Sequence, residues 1–345
     1  MHNSGETILA IIVMSDKRIG GKFMHLLERK QIGLGTFPFS GVFSPISQEQ
    51  AESIVDKFLE LGGHYIETAP IYPRNNVNMA SLIKKFQRSD LLIGSKCVLS
   101  LDATGTTVSS GKPEEIRKQC LEEMKRLQID YLDLLEAHVT AGDVEPKVVA
   151  EALNELKREG LVRYIGASNA SPADIVSYIE GGGLDFIQNR YSIIHRQPTE
   201  SISDLCEKYN IKFNPYQVIE RGQLINTDNS AGEWREGDLR AKKSEYVGDV
   251  YDRVHTWAIN TLGKISREAG ITLEELSIRW VFSQKQVTIP VIGATKIWQI
   301  NKNMNAGTES LSKDLLDAVD KAYFMFAKEI QDVFGLSIEE FRGLV

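Results

Sequence analysis

Four polar residues could do chemistry in this sequence: Glu67, Tyr72, Lys96 and His138, an acid, a phenol, an ammonium and an imidazole. Each stands at or just beyond the end of an apolar, strand-like run. Brought to one end of a barrel, they would make a proton-donating site. A phenol with an ordinary pKa of about 10 keeps its proton at neutral pH, and a nearby cation would make it a better donor by stabilising the phenolate. Lys96 can supply that cation. Taken singly, each residue also has a bland reading as a loop aromatic, a solvated rim charge or a hydrogen-bonded rim histidine.

The elements that must position these residues alternate between strand and helix. The runs at 64–70 (HYIETAP), 91–96 (LLIGSK) and 131–138 (YLDLLEAH) are each followed by a polar or helical stretch, the alternation of a parallel sheet. Further strands are expected over 32–37, 162–168, 184–188, 211–216 and 287–293. Helices are expected over 47–61, with Ser47 as N-cap and Gln50 at the capping-box position, and over 76–87, 112–127, 146–158, 171–181, 199–209, 250–269 and 272–283. The pattern predicts an α/β fold, a single-domain (β/α)8 TIM barrel over 31–325. An N-terminal extension (1–30) and a C-terminal helical tail (326–345) flank it. In such a barrel the C-terminal strand ends form the active-site face. The polar, glycine-containing stretch 226–248 reads as a long loop, either a lid or disordered. The amphipathic stretch from 311 onward could cover an opening or pack on outer helices.

Composition narrows the partners. A net charge of -7 offers no basic stripe for a phosphate backbone, so a small molecule is expected and nucleic acid is not. Cys97, Cys120 and Cys206 are odd in number and lack CxxC or Cys/His clustering, so neither a disulfide framework nor a metal site is expected, and a reducing cytoplasm fits. The apolar stretch 8–14 is too short to span a bilayer and has no basic region before it, so no membrane association is expected.

In order and spacing, GLGT (33–36), the acid-Thr-Ala-x-x-Tyr of 67–72, Lys96, the run 133–138, GLVRYIGASN (160–169), Gln188 and IPVIGATK (289–296) closely resemble the aldo-keto reductase family. The resemblance covers roughly 31–325. It implies a nicotinamide cofactor bound without a Rossmann domain and Tyr72 as the general acid that protonates a carbonyl oxygen. It further implies that Glu67 pairs with Lys96 and that His138 orients the carbonyl or relays a proton. Ser168, Asn169 and Gln188 would hydrogen-bond the nicotinamide carboxamide, a task suited to amides that both donate and accept. Tyr216 would stack on the ring. Gly293, Ala294, Thr295 and Lys296, with Gln299 and Asn303 one and two turns on, would hold the adenosine phosphate at a helix N-terminus, and Lys296 favours NADPH over NADH.

Three departures stand out. Glu67 replaces the family's aspartate, and its extra methylene moves the carboxylate by about 1.5 Å, a scale at which catalytic geometry is sensitive. After Tyr72 the chain reads PRNNVNMAS, where Arg74 points to an anionic substrate. Tyr216 lies in NPYQVIERG, which predicts an altered pyrophosphate loop. Phe37, Phe39 and Phe43 are expected as an apolar wall, and Arg190, His195 and Arg196 as polar partners for a keto-sugar or similar carbonyl compound. The expected function is NADPH-dependent reduction of an aldehyde or ketone. Two alternatives stand beside it. One is a non-catalytic nucleotide-binding regulatory subunit, like the family's potassium-channel β subunits. The other is a barrel isomerase or lyase using Glu67 or Lys96 directly, which leaves Ser168, Asn169, Gln188 and 293–296 unexplained.

Overall fold

A computed structural model describes residues 30–72, 77–196, 199–225, 236–242, 248–307 and 309–343. In chain order its strands are β1 (Gly33–Gly35), β2 (Tyr65–Glu67), β3 (Leu92–Cys97), β4 (Leu99–Leu101), β5 (Thr107–Ser109), β6 (Leu132–Ala137), β7 (Val162–Ser168), β8 (Phe186–Gln188), β9 (Lys212–Phe213) and β10 (Val291–Gly293). Eight of them form one parallel sheet in the order β10-β1-β2-β3-β6-β7-β8-β9. Two parallel bridges, Phe213 to Val287 and Tyr216 to Val291, join its two ends, and the Val291 N–H donates to the Pro215 carbonyl at 2.7 Å. The sheet therefore curls into a ring, as expected of a TIM-type barrel. β4 and β5 form a separate antiparallel hairpin after β3, which the sequence pattern did not predict.

Alternation along each strand separates two cores. Tyr65, Leu92, Leu134, Phe186, Ile289 and Val291 fill the barrel, with Tyr164 and Tyr216 packed against them. The larger core lies between strands and outer helices and includes Ile66, Ile93, Leu135, Ile165 and Ile187. Glycine makes the interior possible: a Cβ on Gly94 would sit 2.3 Å from the Tyr65 hydroxyl, so the tyrosine ring occupies the space that a side chain at 94 would need.

Most helices begin where their caps predict. Ser47 and Gln50 form a capping box ahead of Gln48–Glu60, and Ser171 forms one with Asp174 ahead of Pro172–Glu180. Pro113 and Pro146 open their helices, where a missing N–H costs nothing. The helix expected over 76–87 is shorter, Met79–Lys84, because Asn78 caps it from its side chain. The strand over 162–168 has the expected bounds and β3 the expected length, while the others are shorter than expected, and single bonds prolong the ladders: Thr36 N–H to Glu67 O at 3.0 Å, Thr68 N–H to Gly94 O at 2.9 Å, and His138 N–H to Cys97 O at 3.0 Å.

The tail is a 22-residue helix, Lys313–Phe334, followed by Ile338–Phe341. One continuous helix thus crosses the boundary expected at 325/326. It packs on outer helices, with Phe326 stacked on Trp257 at 4.3 Å. Its end runs inward, where Arg342 pairs with Glu220 at 2.9 Å. Of the long loop expected over 226–248, residues 236–242 form a turn leading into a short 3-10 helix, Gly248 begins the helix Gly248–Trp257, and the remainder, like the extension over 1–29, lies outside the described residues. No helix among the described residues is long and apolar enough to cross a membrane.

Candidate active site

The C-terminal strand ends surround a cavity of about 450 Å³. Strand direction explains its lining. Glu67, Lys96, Ser168 and Gln188 sit at or next to the ends of β2, β3, β7 and β8, and Tyr72 and His138 lie on the loops just beyond β2 and β6. Asn169, Tyr216, Gly293, Ala294, Thr295 and Gln299 complete the expected set in the wall. Two expected residues do not line it. Lys296 is exposed at the start of the helix Ile297–Ala306, and Asn303 is buried two turns on.

The proton-donating group is organised around one carboxylate. The Tyr72 hydroxyl donates to Glu67 Oε1 at 2.7 Å, and the Lys96 ammonium bonds the same oxygen. The pairing expected between Glu67 and Lys96 is present, yet the phenol reaches the carboxylate rather than the ammonium. The extra methylene of Glu67 is consistent with that reach. The consequence reverses the expected tuning. Burial, then the charge and hydrogen bond of Glu67, push the Tyr72 phenol well above its ordinary value, so it stays protonated. Phe37 holds the ring in place edge-on at 5.1 Å.

His138 lies edge-on to Tyr72 at 6.2 Å. Burial, aided by the Lys96 charge, lowers its imidazole to about 3, so it is neutral, and its Nδ1 is buried with no partner among the described residues. Next to it, Asn169 adopts a left-handed backbone (φ 58°), which asparagine tolerates. Its amide donates to the His138 carbonyl at 2.9 Å and to Ser168 Oγ at 3.1 Å, and accepts from the Tyr216 hydroxyl. The Gln188 amide nitrogen is buried in the same wall and has no partner among the described residues. A ligand with a carboxamide would satisfy it.

At the far end, Gln299 Oε1 accepts from the N–H groups of Thr295 and Lys296, at 2.8 and 3.0 Å. The helix N-terminus expected to hold a phosphate is therefore capped by its own glutamine, which must swing aside for an anion. Two cationic side chains that the sequence did not single out, Arg221 and Arg240, also face the cavity. Arg221 has a left-handed backbone (φ 53°) in the loop after β9, the region where an altered pyrophosphate loop was expected.

Several expectations need correction. Arg190, His195 and Arg196 do not line the cavity. Arg190 pairs with buried Glu220, and Arg196 pairs with Asp320 at 2.7 Å while lying over Trp280 and Tyr323. They are taken up by packing the tail and loops. Phe37 and Phe43 form the apolar wall, but Phe39 turns into the core. Arg74 lies outside the described residues. Sequence reasoning also missed Glu136, fully buried on β6 and 3.6 Å from Lys96. The signal was there in the alternation, since an acid two residues before His138 faces the same side of the strand.

The sequence profile of the Aldo/keto reductase family matches residues 31–323, and the chain belongs to that family. It is 28% identical over 303 residues to an NADH-specific methylglyoxal reductase of Escherichia coli, covering 82% of this chain and 91% of that protein. It is 24% identical over 308 residues to an NADP(+) aldo-keto reductase of Schizosaccharomyces pombe, covering 86% and 90%. Among solved structures, a glycerol dehydrogenase from Gluconobacter oxydans superposes with a TM-score of 0.75 at 22% identity, over 84% of this chain and 90% of that one. The last similarity concerns the fold alone.

Proposed function

We propose that this protein reduces an aldehyde or ketone with NADPH, with Tyr72 as the proton donor. The observation that carries the proposal is the chain Tyr72, Glu67, Lys96 lining the same cavity as a Gln188 amide nitrogen that has no partner among the described residues. Ser168, Asn169, Gln188 and Tyr216 would hold the nicotinamide, Arg221 and Arg240 the phosphates, and Gly293, Ala294, Thr295 and Gln299 the adenosine end. The nicotinamide, when bound, supplies the hydride.

The chain's own residues supply the rest. Tyr72, kept protonated by burial and by Glu67, donates to the substrate oxygen as charge develops there. Neutral His138 orients that oxygen without adding charge. Phe37 and Phe43 exclude water from the donor. The preference for NADPH rests on Lys296, exposed beside Thr295, where a 2'-phosphate would meet a cation. The alternative of a purely nucleotide-binding subunit leaves the Tyr72–Glu67–Lys96 chain without a use.

Fluorescence titration with NADPH and NADH, followed by loss of the reduced-nicotinamide absorbance over a panel of aldehydes, ketones and keto-sugars, tests this. Tighter binding of NADPH with turnover of a carbonyl compound is expected. Binding with no turnover across the panel would favour the regulatory subunit, and no binding would overturn the cofactor assignment.

A further inference from the structure

Among the described residues, Glu136 is an acid of this barrel end to which the proposed chemistry gives no role, although it falls within the family-like run 133–138. Its side chain is fully buried, and neither carboxylate oxygen has a hydrogen-bond partner among the described residues. Its place is built for it. Gly166 lies opposite on β7, where a Cβ would stand 2.9 Å from Glu136 Cγ and 3.1 Å from Oε1, so only glycine leaves room for the acid.

Among the described residues, the groups facing Glu136 are few. From β3 comes Lys96, with Nζ 3.6 Å from Oε2, whereas the buried thiol of Cys97, on the outer face, meets only the Glu136 backbone carbonyl. From β2 come Glu67 and the buried phenol of Tyr65, and Tyr72 stands beyond them. Gly166 brings no charge from β7, and from just beyond β6 comes His138, two residues on and held neutral, while Asp133 on β6 is taken up by Arg88 at 2.6 Å and Arg163 at 2.9 Å. Two carboxylates therefore share one ammonium in a dry interior, and such a cluster has a place for one more proton.

We propose that Glu136 is a positioning acid that stores this proton and returns it to Tyr72 through Lys96 and Glu67 after each turnover. This inference rests on the carbonyl-reductase reading. The balance closes. Tyr72 gives its proton to the substrate oxygen, and a phenolate beside the Glu67 carboxylate is unfavourable. A proton passes from Lys96 Nζ across Glu67 Oε1, which both groups already bond, to the Tyr72 oxygen. A small swing of the Lys96 side chain then brings Nζ into hydrogen-bond range of Glu136, whose carboxylic acid restores the ammonium. The site ends with Tyr72 and Lys96 protonated and Glu136 ionised, and reloads from solvent through Tyr72 once product has left. Burial raises the Glu136 carboxyl and the Glu67 charge adds to this, while Lys96 opposes both, leaving it at about 7. The store is therefore loaded below neutrality and empties above it.

Two measurements test this. The infrared carboxylic-acid band of the cofactor-free wild type should titrate near neutrality and be missing from Glu136→Gln. The wild-type kcat profile should fall above about pH 7, and Glu136→Gln should lose that break, with kcat lower by at least about tenfold at pH 6. A merely structural Glu136 would leave the break in place, and that result overturns the proposal. So does a wild type that turns over but shows no titrating acid, an observation that needs no variant. A wild type with the titrating band that turns over no carbonyl compound overturns the reductase reading, and the relay with it.

Discussion

Among the described residues, two of the buried charge clusters are built in opposite ways. At the barrel mouth, Glu67 and Glu136 share Lys96, so acids outnumber bases and the Glu136 oxygens lack hydrogen-bond partners. Beneath the loop after β9, Arg190 and Arg342 share Glu220, so bases outnumber acids and the carboxylate is filled, with Ser192 bonding its other oxygen. Burial alone would raise both carboxyls. For Glu220, the two guanidinium charges overcome burial and hold it well below the ordinary range, whereas Glu136 stays high at about 7. A filled cluster locks structure. An unfilled one can change its charge, which chemistry requires.

The locked cluster has a purpose in the fold. Glu220 itself has φ 50°, and neighbouring Gln217 and Arg221 have φ 56° and 53°, conformations that side-chain-bearing residues seldom adopt. Arg342 ties this strained loop, which lines the cavity, to the end of the C-terminal tail.

The contrast can be broken most forcefully at Glu220. Glu220→Ala strands two buried arginines and should cost about 3–5 kcal/mol in chemical denaturation. A loss below about 1 kcal/mol would mean that the cluster does not lock the loop. Glu136→Gln should act with the opposite sign. Its folded value near 7 lies above the ordinary 4.5, so the folded state holds a proton that the unfolded state has released. Stability contributed by this group therefore falls as pH rises from 4.5 to 7 and is level beyond. Glu136→Gln should be more stable relative to wild type at about pH 8 than at about pH 4, by roughly 3 kcal/mol. Melting curves at the two pH values, compared as a double difference, give the sign.

Smaller effects sharpen the account of the donor. Glu67→Asp shortens the acid that Tyr72 bonds and should lower kcat on the order of tenfold while leaving nucleotide affinity alone. Unchanged kcat would mean that the reach of Glu67 is incidental. Lys296→Ala should weaken NADPH by a few-fold and NADH hardly at all, the size of one exposed ionic contact. Equal weakening of both would remove the phosphate role of Lys296.

The barrel and most of its mouth were legible in the sequence because local signals carried them. Capping residues placed the helices, and apolar runs ended at the residues that line the cavity. What escaped depended on long-range pairing. Arg190 and Arg196 are cations near the right strand ends, but their partners, Glu220 and Asp320, lie 30 and 124 residues away. Glu136 reads as an ordinary acid in an apolar run until Gly166 is seen to make room for it. The reversed tuning of Tyr72 was hidden as well, since no spacing reveals which of two partners a phenol reaches.

The central claim is that Tyr72 delivers the proton. Tyr72→Phe removes the hydroxyl bonded to Glu67 while keeping the ring against Phe37. Its kcat/KM for carbonyl reduction, measured beside its Kd for NADPH, tests the claim most directly. The account predicts a fall on the order of a thousandfold with Kd within about twofold of wild type. Turnover within about threefold of wild type would contradict it.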